Sequence, residues 1–492
     1  MLSLSPYIQT NAYGYKYSGH CPVKNTEEPH QSFLTMSTGV HIVAYPYPTP
    51  GHIIPLLDLT HRLLTRGLTV TVFVTPSHLP YFAHPSSLKH LILPAPDITS
   101  PPQKRIVATM RALRDLHYPI LLQWFRSHSS PPVAIISDFF LGWTQDLACE
   151  LGIPRVVFSP SGAFTLSVSF SLTRDPREND DPEDINFQVS FPKLPNSPAY
   201  PWWQIPGLYR SYKGDPDTEF YRNNMRANSM SWGMVFNSFV DLERVYFTHL
   251  KKELGNDRVW AVGPLLPLEH HESIVRGKAS SVQFHHLKMW LDARSDNSIV
   301  YVCFGSSVAL TSRQMDVLAA ALEQSGVQFV LCVRVPHEDE QQHSNADHGV
   351  IPDGFEDRVA GRGFVIRGWA PQVSILGHRA VGAFVTHCGW NSVLEGIAAG
   401  VVMLTWPMGA DQYTNAKLLV EQLGVAIRAC EGTQSIPESA ELARLLAMSV
   451  EEGRPERVLA KELSAASLCA VKGGSSDINL DDFIQQLADL GK

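Results

Sequence analysis

The sequence predicts an α/β protein built from two doubly wound domains of parallel sheet, on three observations. The chain has 492 residues, 44% apolar and only 18% charged, so sizeable cores can form, and at roughly 150 residues per domain two large domains are the natural division. Strand and helix patterns alternate as parallel sheets require, once in the first half of the chain and again in the second. Between the two arrays lies Trp260 to Leu268, a stretch with Gly263, Pro264 and Pro267 that reads as linker.

Residues 1–35 mix Tyr, Ser, Asn and Gly, with neither the apolar core of a secretory signal nor the Arg-rich pattern of a transit peptide. They are expected to be a disordered extension or a gene-model artefact, with Met36 the more natural start. The first domain is placed at 36–258. Val40 to Tyr45 is a short apolar run, Pro46 to Gly51 a Pro-rich turn, Ile53 to Leu64 carries apolar residues at helical spacing, and Leu68 to Thr75 is β-branched. Together they form a βαβ unit. Pro132 to Ser137 is a further buried strand, followed by helix Thr144 to Leu151 and strand Arg155 to Ser159, while Asp175 to Asp184 reads as a solvated loop. After a linker at 259–290 the alternation restarts in a second domain, 291–470. Strand Ile299 to Phe304, helix Arg313 to Gln324 and strand Gln328 to Arg334 open it. Phe364 to Ile366, Ala383 to Thr386 and Val401 to Thr405 continue the series, with Pro336 to Gly349 a polar loop. Residues 471–492 are expected to be a helix returning to the first domain. In such folds ligands bind in the cleft at the carboxyl ends of the strands.

The net charge of −8 argues against a nucleic-acid binder held by a basic footprint. No stretch reaches the roughly 20 apolar residues that cross a bilayer. Seven scattered cysteines make no paired framework; they read as reduced thiols of a cytoplasmic protein, with Cys149, Cys303, Cys332 and Cys388 as core residues.

The most informative stretch is Trp369 to Gln412. A strand ends at Thr386, and His387-Cys388-Gly389 turns the chain into a helix starting near Asn391 or Ser392. Such a turn aims backbone N–H groups and a positive helix end at whatever lies above the sheet, which suits a phosphate. His387, Asn391 and Ser392 could add donors. Ser392-Val393-Leu394-Glu395 is equally a capping box. Near the other end of the chain, Pro46 to His52 leaves His52 at a helix N-terminus, where a positive helix end favours the neutral ring that can accept a proton. Asp138 closes a strand at the same carboxyl edge. Each alone is more often a cap; together they form a His–Asp pair in which the carboxylate orients the imidazole. Phe304-Gly305-Ser306-Ser307 repeats the strand-to-loop geometry with small residues, which allows close approach to a ligand or merely a tight turn.

Other signals fail. Asp215-Pro216-Asp217 has a metal-binding spacing but sits in a polar stretch and reads as a turn. His337, His343 and His348 lie in an acidic loop, and the doublets His270-His271 and His285-His286 lack partner spacing. There is no GxSxG, HExxH, Walker or GxGxxG motif.

The segment Trp369 to Gln412 resembles the signature box of plant secondary-product UDP-glycosyltransferases, matching its 44 residues without a gap. The likeness extends, more loosely, over residues 37–490. The resemblance implies a GT-B fold, two Rossmann-like domains facing a central cleft. It implies that Trp369 stacks on uracil with Ala370 and Gln372 beside it, and that Glu395 holds the ribose hydroxyls. His387, Asn391 and Ser392 would take the diphosphate, with Ser306 a further contact there; Trp390, Asp411 and Gln412 would contact the sugar. In this family the loop histidine, here His52, is the general base and the strand-end aspartate, here Asp138, its partner. The implied activity is inverting transfer of glucose from UDP-glucose to a hydroxyl of a small phenolic acceptor, flavonoid or hydroxybenzoate, by a monomer with no metal or resident cofactor and no nucleic-acid or integral-membrane partner. Aromatic residues including Phe139, Trp143, Phe164 and Trp202 would suit a phenolic ring. Two rivals stay open: transfer of rhamnose or xylose on the same fold, which the Asp411-Gln412 ending opposes, and a non-catalytic UDP-sugar binder, which His52 with Asp138 opposes.

Overall fold

The structure is a computed structural model describing residues 39–82, 88–98, 100, 104–181, 183–210, 214–267, 281–282, 284–306, 308–334, 347 and 349–491. The chain divides into two compact units, an N-terminal one that runs to Lys278 and takes the chain back from Ala470, and a second one comprising Ala279–Cys469. The extension 1–35, Met36, Ser307, His270, His271, His337, His343 and His348 lie outside the described residues.

The N-terminal unit is organised on seven strands: β1 (His41–Tyr45), β2 (Thr69–Val74), β3 (Lys89–Ile92), β4 (Ala134–Asp138), β5 (Arg155–Ser159), β8 (Gly233–Phe236) and β9 (Val259–Ala261), with β6 (Gln188–Ser190) and β7 (Ala199–Pro201) forming a separate antiparallel pair. The order across the sheet is β3-β2-β1-β4-β5-β8-β9, all parallel. β1 and β4 are buried along their whole length, as expected of strands covered on both faces. The strand order reverses between them: the chain leaves β1 toward β2 and returns to its other side as β4. Helix Pro50–Thr65 follows β1, with Pro50 at its first position, where a missing N–H leaves no bond unmade. Its buried Ile53, Leu56, Leu59 and Leu63 join Ile42, Val70, Ile136 and Phe158 in one core. Helix Thr144–Leu151 and strand Arg155–Ser159 have the bounds expected.

The stretch expected as linker from Trp260 begins instead as β9. Val259 pairs with Met234, and Trp260 is only 1% exposed; the glycine and prolines that suggested a linker come only after this edge strand. Helix Ser475–Leu490 is tied to it. Trp260 Nε1 donates to Asp482 at 2.6 Å, Phe483 packs on the indole at 4.9 Å between centroids, Asn479 donates to the Ala261 carbonyl, and Arg66 pairs with Asp477 and Asp481.

The second unit holds β10 (Ile299–Cys303), β11 (Gln328–Val333), β12 (Gly363–Arg367), β13 (Val381–Thr386), β14 (Val402–Thr405) and β15 (Ala426–Arg428) in the parallel order β12-β11-β10-β13-β14-β15. Again the order reverses at the centre, between β10 and β13. Among the described residues no helix is long and apolar enough to cross a membrane.

Three further expectations are corrected. Asp215 is not in a turn but caps helix Pro216–Asn228, accepting from the Asp217 and Thr218 amides, while Asp217 pairs with Arg111 and Lys104; Pro216 at the first helical turn is the signal that applied. Cys149 is exposed and Cys332 half-buried, because helix Thr144–Leu151 buries Thr144, Leu147 and Ala148 and turns Cys149 outward. Trp143 and Phe164 are core residues, 3% and 1% exposed, Phe164 stacking on Tyr246 at 4.3 Å.

Phe483→Ala removes a fully buried ring from the clasp on β9 and should destabilise the N-terminal unit by about 3–5 kcal/mol. Ile478→Ala, on the exposed side of the same helix, should change stability by less than about 0.5 kcal/mol; urea unfolding of the two variants checks the contrast.

Candidate active site

The first cluster sits where β1 and β4 end side by side. Their register sets Tyr45 opposite Ser137, which brings the loop after β1 level with Asp138. His52 lies in the first turn of its helix, and its Nδ1 is 2.7 Å from Asp138 Oδ2. A carboxylate only accepts, so Nδ1–H donates and Nε2 is the ring's acceptor. Asp138 is fully buried while His52 keeps 18% of its side chain exposed. The second carboxylate oxygen accepts from the Phe140 amide at 2.9 Å, so Asp138 serves at once as the cap of a short 3₁₀ turn and as the partner of His52. Aromatic rings hold the imidazole in place: Phe140 stacks on it at 5.2 Å, with Tyr47 at 5.4 Å and Phe139 at 5.6 Å. This arrangement can take a proton at Nε2 and stabilise the resulting cation through Asp138.

The second cluster forms at the matching reversal, where Cys303 of β10 lies opposite Thr386 of β13. Gly305, at φ +75°, and Gly389 pass so close to the His387 ring that a Cβ on either would come within 2.6 Å of it. Burial pulls the His387 imidazole down to about 4, so the ring is neutral at pH 7, and its Nδ1 is buried without a protein partner. Cys388, also left-handed at φ +65°, turns the chain into helix Trp390–Ala399. Gly389, not Ser392, takes the cap position, and no side chain caps it. The capping box therefore does not form. Ser392 accepts instead from Gln372 Nε2 at 2.9 Å, and Glu395 from the same nitrogen at 2.6 Å. Gln372 Oε1 accepts from Tyr301 at 3.3 Å. Gln372, expected beside a base, is engaged on every polar atom in holding Ser392 and Glu395 in place.

The turn after β14 completes this cluster. Gln412 Oε1 accepts from the Met408 and Gly409 amides at 2.8 and 3.0 Å, which leaves its NH₂ as the end those amides do not claim. Ala410 sits at φ +52° just before Asp411. Asn415 binds both Asp411 and the Cys388 carbonyl, at 3.0 and 2.9 Å, joining this turn to the His387 turn. Trp369 and Ala370 follow β12, the Trp369 carbonyl accepting from Ser281. Ser306 is exposed in the turn after β10, and Trp390 points inward, 4% exposed.

The structure thus joins His52 to Asp138, and Gln372 to Ser392 and Glu395. Missed from the sequence were Phe140, Tyr301, Asn415 and Arg155. Arg155 alone carried a signal: a charge inside an otherwise apolar strand.

Two units of doubly wound parallel sheet, each with polar residues at the carboxyl ends of its central strands, have the architecture of the GT-B fold. The family model for UDP-glucoronosyl and UDP-glucosyl transferase matches residues 263–443. A flavonol 3-O-glucosyltransferase of Arabidopsis thaliana is 50% identical over 473 residues, covering 92% of this chain and 97% of the relative. UDP-glycosyltransferase 89B2 of Stevia rebaudiana is 50% identical, covering 92% and 99%. The crystal structure of UGT89C1 from Arabidopsis thaliana, complexed with UDP-L-rhamnose, superposes with a TM-score of 0.74 at 37% identity, covering 91% of this chain and 99% of that one. The chain belongs to the plant family 1 UDP-glycosyltransferases.

The depressed pKa of His387 has a consequence for stability. Between its ordinary 6.5 and its folded value of about 4, the unfolded chain binds a proton that the folded chain does not. Stability present above pH 6.5 is therefore lost as pH falls toward 4, by up to about 3 kcal/mol. His387→Gln should flatten this slope, which urea unfolding at neutral and mildly acidic pH measures; an unchanged slope would assign the acid sensitivity elsewhere.

Proposed function

We propose that this UDP-glycosyltransferase moves glucose from UDP-glucose to a hydroxyl of a small phenolic acceptor, of flavonoid or hydroxybenzoate type, with inversion at the anomeric carbon. The observation that carries the reading is the His52–Asp138 bond of 2.7 Å, which leaves Nε2 as a base. His52 removes the acceptor proton as the acceptor oxygen attacks the anomeric carbon. The bond from that carbon to the diphosphate breaks, and the imidazolium is stabilised by Asp138. Charge arriving on UDP is met by the N-terminus of helix Trp390–Ala399, with His387 and Ser392. Glu395, positioned by Gln372, suits the ribose diol, and Trp369 a base. The relative named for flavonol 3-O-glucosylation supports both donor and acceptor class. Free thiols on all six cysteines among the described residues suit a cytoplasmic enzyme.

A second donor has one observation in its favour, the likeness to a structure complexed with UDP-L-rhamnose. Against it stands Gln412, whose amide NH₂ is turned to give a hydrogen bond. A buried site made to bond one hydroxyl rejects a sugar that lacks or misplaces it.

His52→Ala should lower turnover of an unactivated phenol by about 10²–10⁴ and leave UDP binding within twofold. A variant keeping more than half the wild-type rate on that phenol would remove His52 from the mechanism.

Gln412→Glu keeps an oxygen facing the Met408 and Gly409 amides but replaces the NH₂ donor with a second carboxylate oxygen and adds a negative charge. It should reduce glucose transfer at least about tenfold, the loss of one buried hydrogen bond, with UDP affinity little changed. In donor competition the wild type should favour UDP-glucose over UDP-rhamnose, UDP-xylose and UDP-galactose by a similar factor; a mainly rhamnosylated product overturns the donor assignment while leaving the base in place.

A further inference from the structure

We propose that Arg155 is a positioning residue for the transfer reaction, a buried cation that holds the segment from Ser137 to Leu141 in place and so keeps Asp138 turned toward His52. The inference rests on the reading of His52 and Asp138 as the base pair. Arg155 opens β5 next to β4, paired with Ile135, and is 1% exposed. Its Nε donates to Ser137 Oγ at 2.7 Å, and its Nη2 to Asn228 Oδ1 at 3.0 Å and to the Asp138 carbonyl at 3.4 Å. The acceptors are tied in turn to the segment that carries the dyad. Asn228 Nδ2 donates to the Phe139 carbonyl at 2.9 Å, and Ser137 shares a 2.7 Å bond with Thr144, which donates to the Leu141 carbonyl. Arg155 therefore grips the chain from Ser137 to Leu141, which includes Phe140 stacked on His52.

As a purely structural residue Arg155 would be a poor choice. Nη1 is buried without a partner, and the bonds to its other nitrogens go to neutral oxygens. A buried charge so incompletely paired is destabilising, and an apolar side chain of similar size would often serve as well. What the charge does supply is a positive field behind Asp138. That carboxylate is itself fully buried, where the field of a nearby charge is little screened by water. The titratable groups facing Asp138 are His52 from helix Pro50–Thr65, Tyr47 from the preceding loop and Arg155 from β5. Those facing Arg155 are Asp138 and, from helix Thr144–Leu151, Asp146. Tyr47 is pushed up to about 12 by burial and stays neutral. Burial, opposed by Asp138 and Asp146, pulls Arg155 down to about 9, still charged at neutral pH.

The test is Arg155→Met in the full-length protein, assayed with UDP-glucose on a flavonol and on an acidic nitrophenol that arrives ionised at mildly alkaline pH. A dyad released from its support is a poorly placed base, which an acceptor that arrives ionised does not need. The flavonol kcat should fall at least about tenfold and the nitrophenol kcat less than about threefold, with the KM for UDP-glucose within twofold. The acid limb of the kcat/KM profile should move to higher pH, because the dyad loses a neighbouring positive charge. Arg155→Lys, which keeps the charge, should keep the limb in place. Equal losses on both acceptors with an unmoved limb would make Arg155 a packing residue and overturn the proposal, as would wild-type rates. If the methionine variant does not fold, Ser137→Ala frees the guanidinium from one tether, and the same selective loss is expected, smaller, with its absence again overturning the proposal. His52→Ala separates the two ideas: if it fails to show the same acceptor selectivity, the dyad reading falls and not merely the role of Arg155.

Discussion

Strand register decides whether either cluster exists. β1 and β4 run parallel with Tyr45 level with Ser137, so the residue that ends β4 stands beside the loop that ends β1. A slip of one residue would turn Asp138 to the other face of the sheet. A slip of two would carry it about 6–7 Å along the strand, more than twice the length of its bond to His52. The same holds for β10 and β13, where Cys303 faces Thr386 and Gly305 meets the His387 ring. In each sheet the pair that must stay in register is the one across which the strand order reverses. There the two following loops part to opposite sides and leave the strand ends open to a ligand. The continuous burial of β1 and β4 makes a slipped register expensive, so the apolar core and the site chemistry depend on the same alignment.

Within that frame the polar residues are held by one another more than by solvent. Asp138 binds a ring nitrogen and a backbone amide; Gln372 ties Tyr301, Ser392 and Glu395 together. Buried networks of this kind, with their bonds made, fix geometry without needing a ligand to organise them. His387 is the contrast. Its ring is wedged between two glycines with a buried nitrogen left without a partner, which is destabilising in the free protein and marks the turn as a place shaped for something other than folding. The left-handed Cys388 and Ala410, each a residue or so from a polar side chain of the same cluster, are strained in the same sense.

Much of this was legible in the sequence where the signal is local. Helix Thr144–Leu151 and strand Arg155–Ser159 are bounded by Gly142, Gly152 and Pro154, and both ends were readable. Asp138 was readable because it closes a strand pattern with a chemically apt residue, and His52 because the Pro-rich loop after β1 leaves it at a helix N-terminus. Local signals misled where a distant residue decided the outcome. Ser392 and Glu395 have the spacing of a capping box, but Gln372, twenty residues away, reaches Ser392 at hydrogen-bond distance, and Gly389 ends the turn first. Val259 to Ala261 looked like the start of a linker, because nothing nearby shows that β8 is short of a neighbour and that Phe483 waits to cover Trp260. Arg155 could be noticed in the sequence but not placed, since its partners Asp138 and Asn228 come from opposite sides along the chain.

The two glutamines show how the scaffold decides what a versatile side chain can say. An amide carries both a donor and an acceptor, and in solution either end can face a partner. At Gln372 both ends are engaged by the protein, so its contribution is to hold Glu395 and Ser392. At Gln412 two backbone amides claim the oxygen, and those amides are fixed by a turn that includes the strained Ala410. The end that those amides do not claim is therefore a donor, set by backbone geometry. Selectivity at such a position lies less in the identity of the side chain than in the turn that orients it. A substitution at Ala410 that relaxed the turn would free the Gln412 amide to present either end.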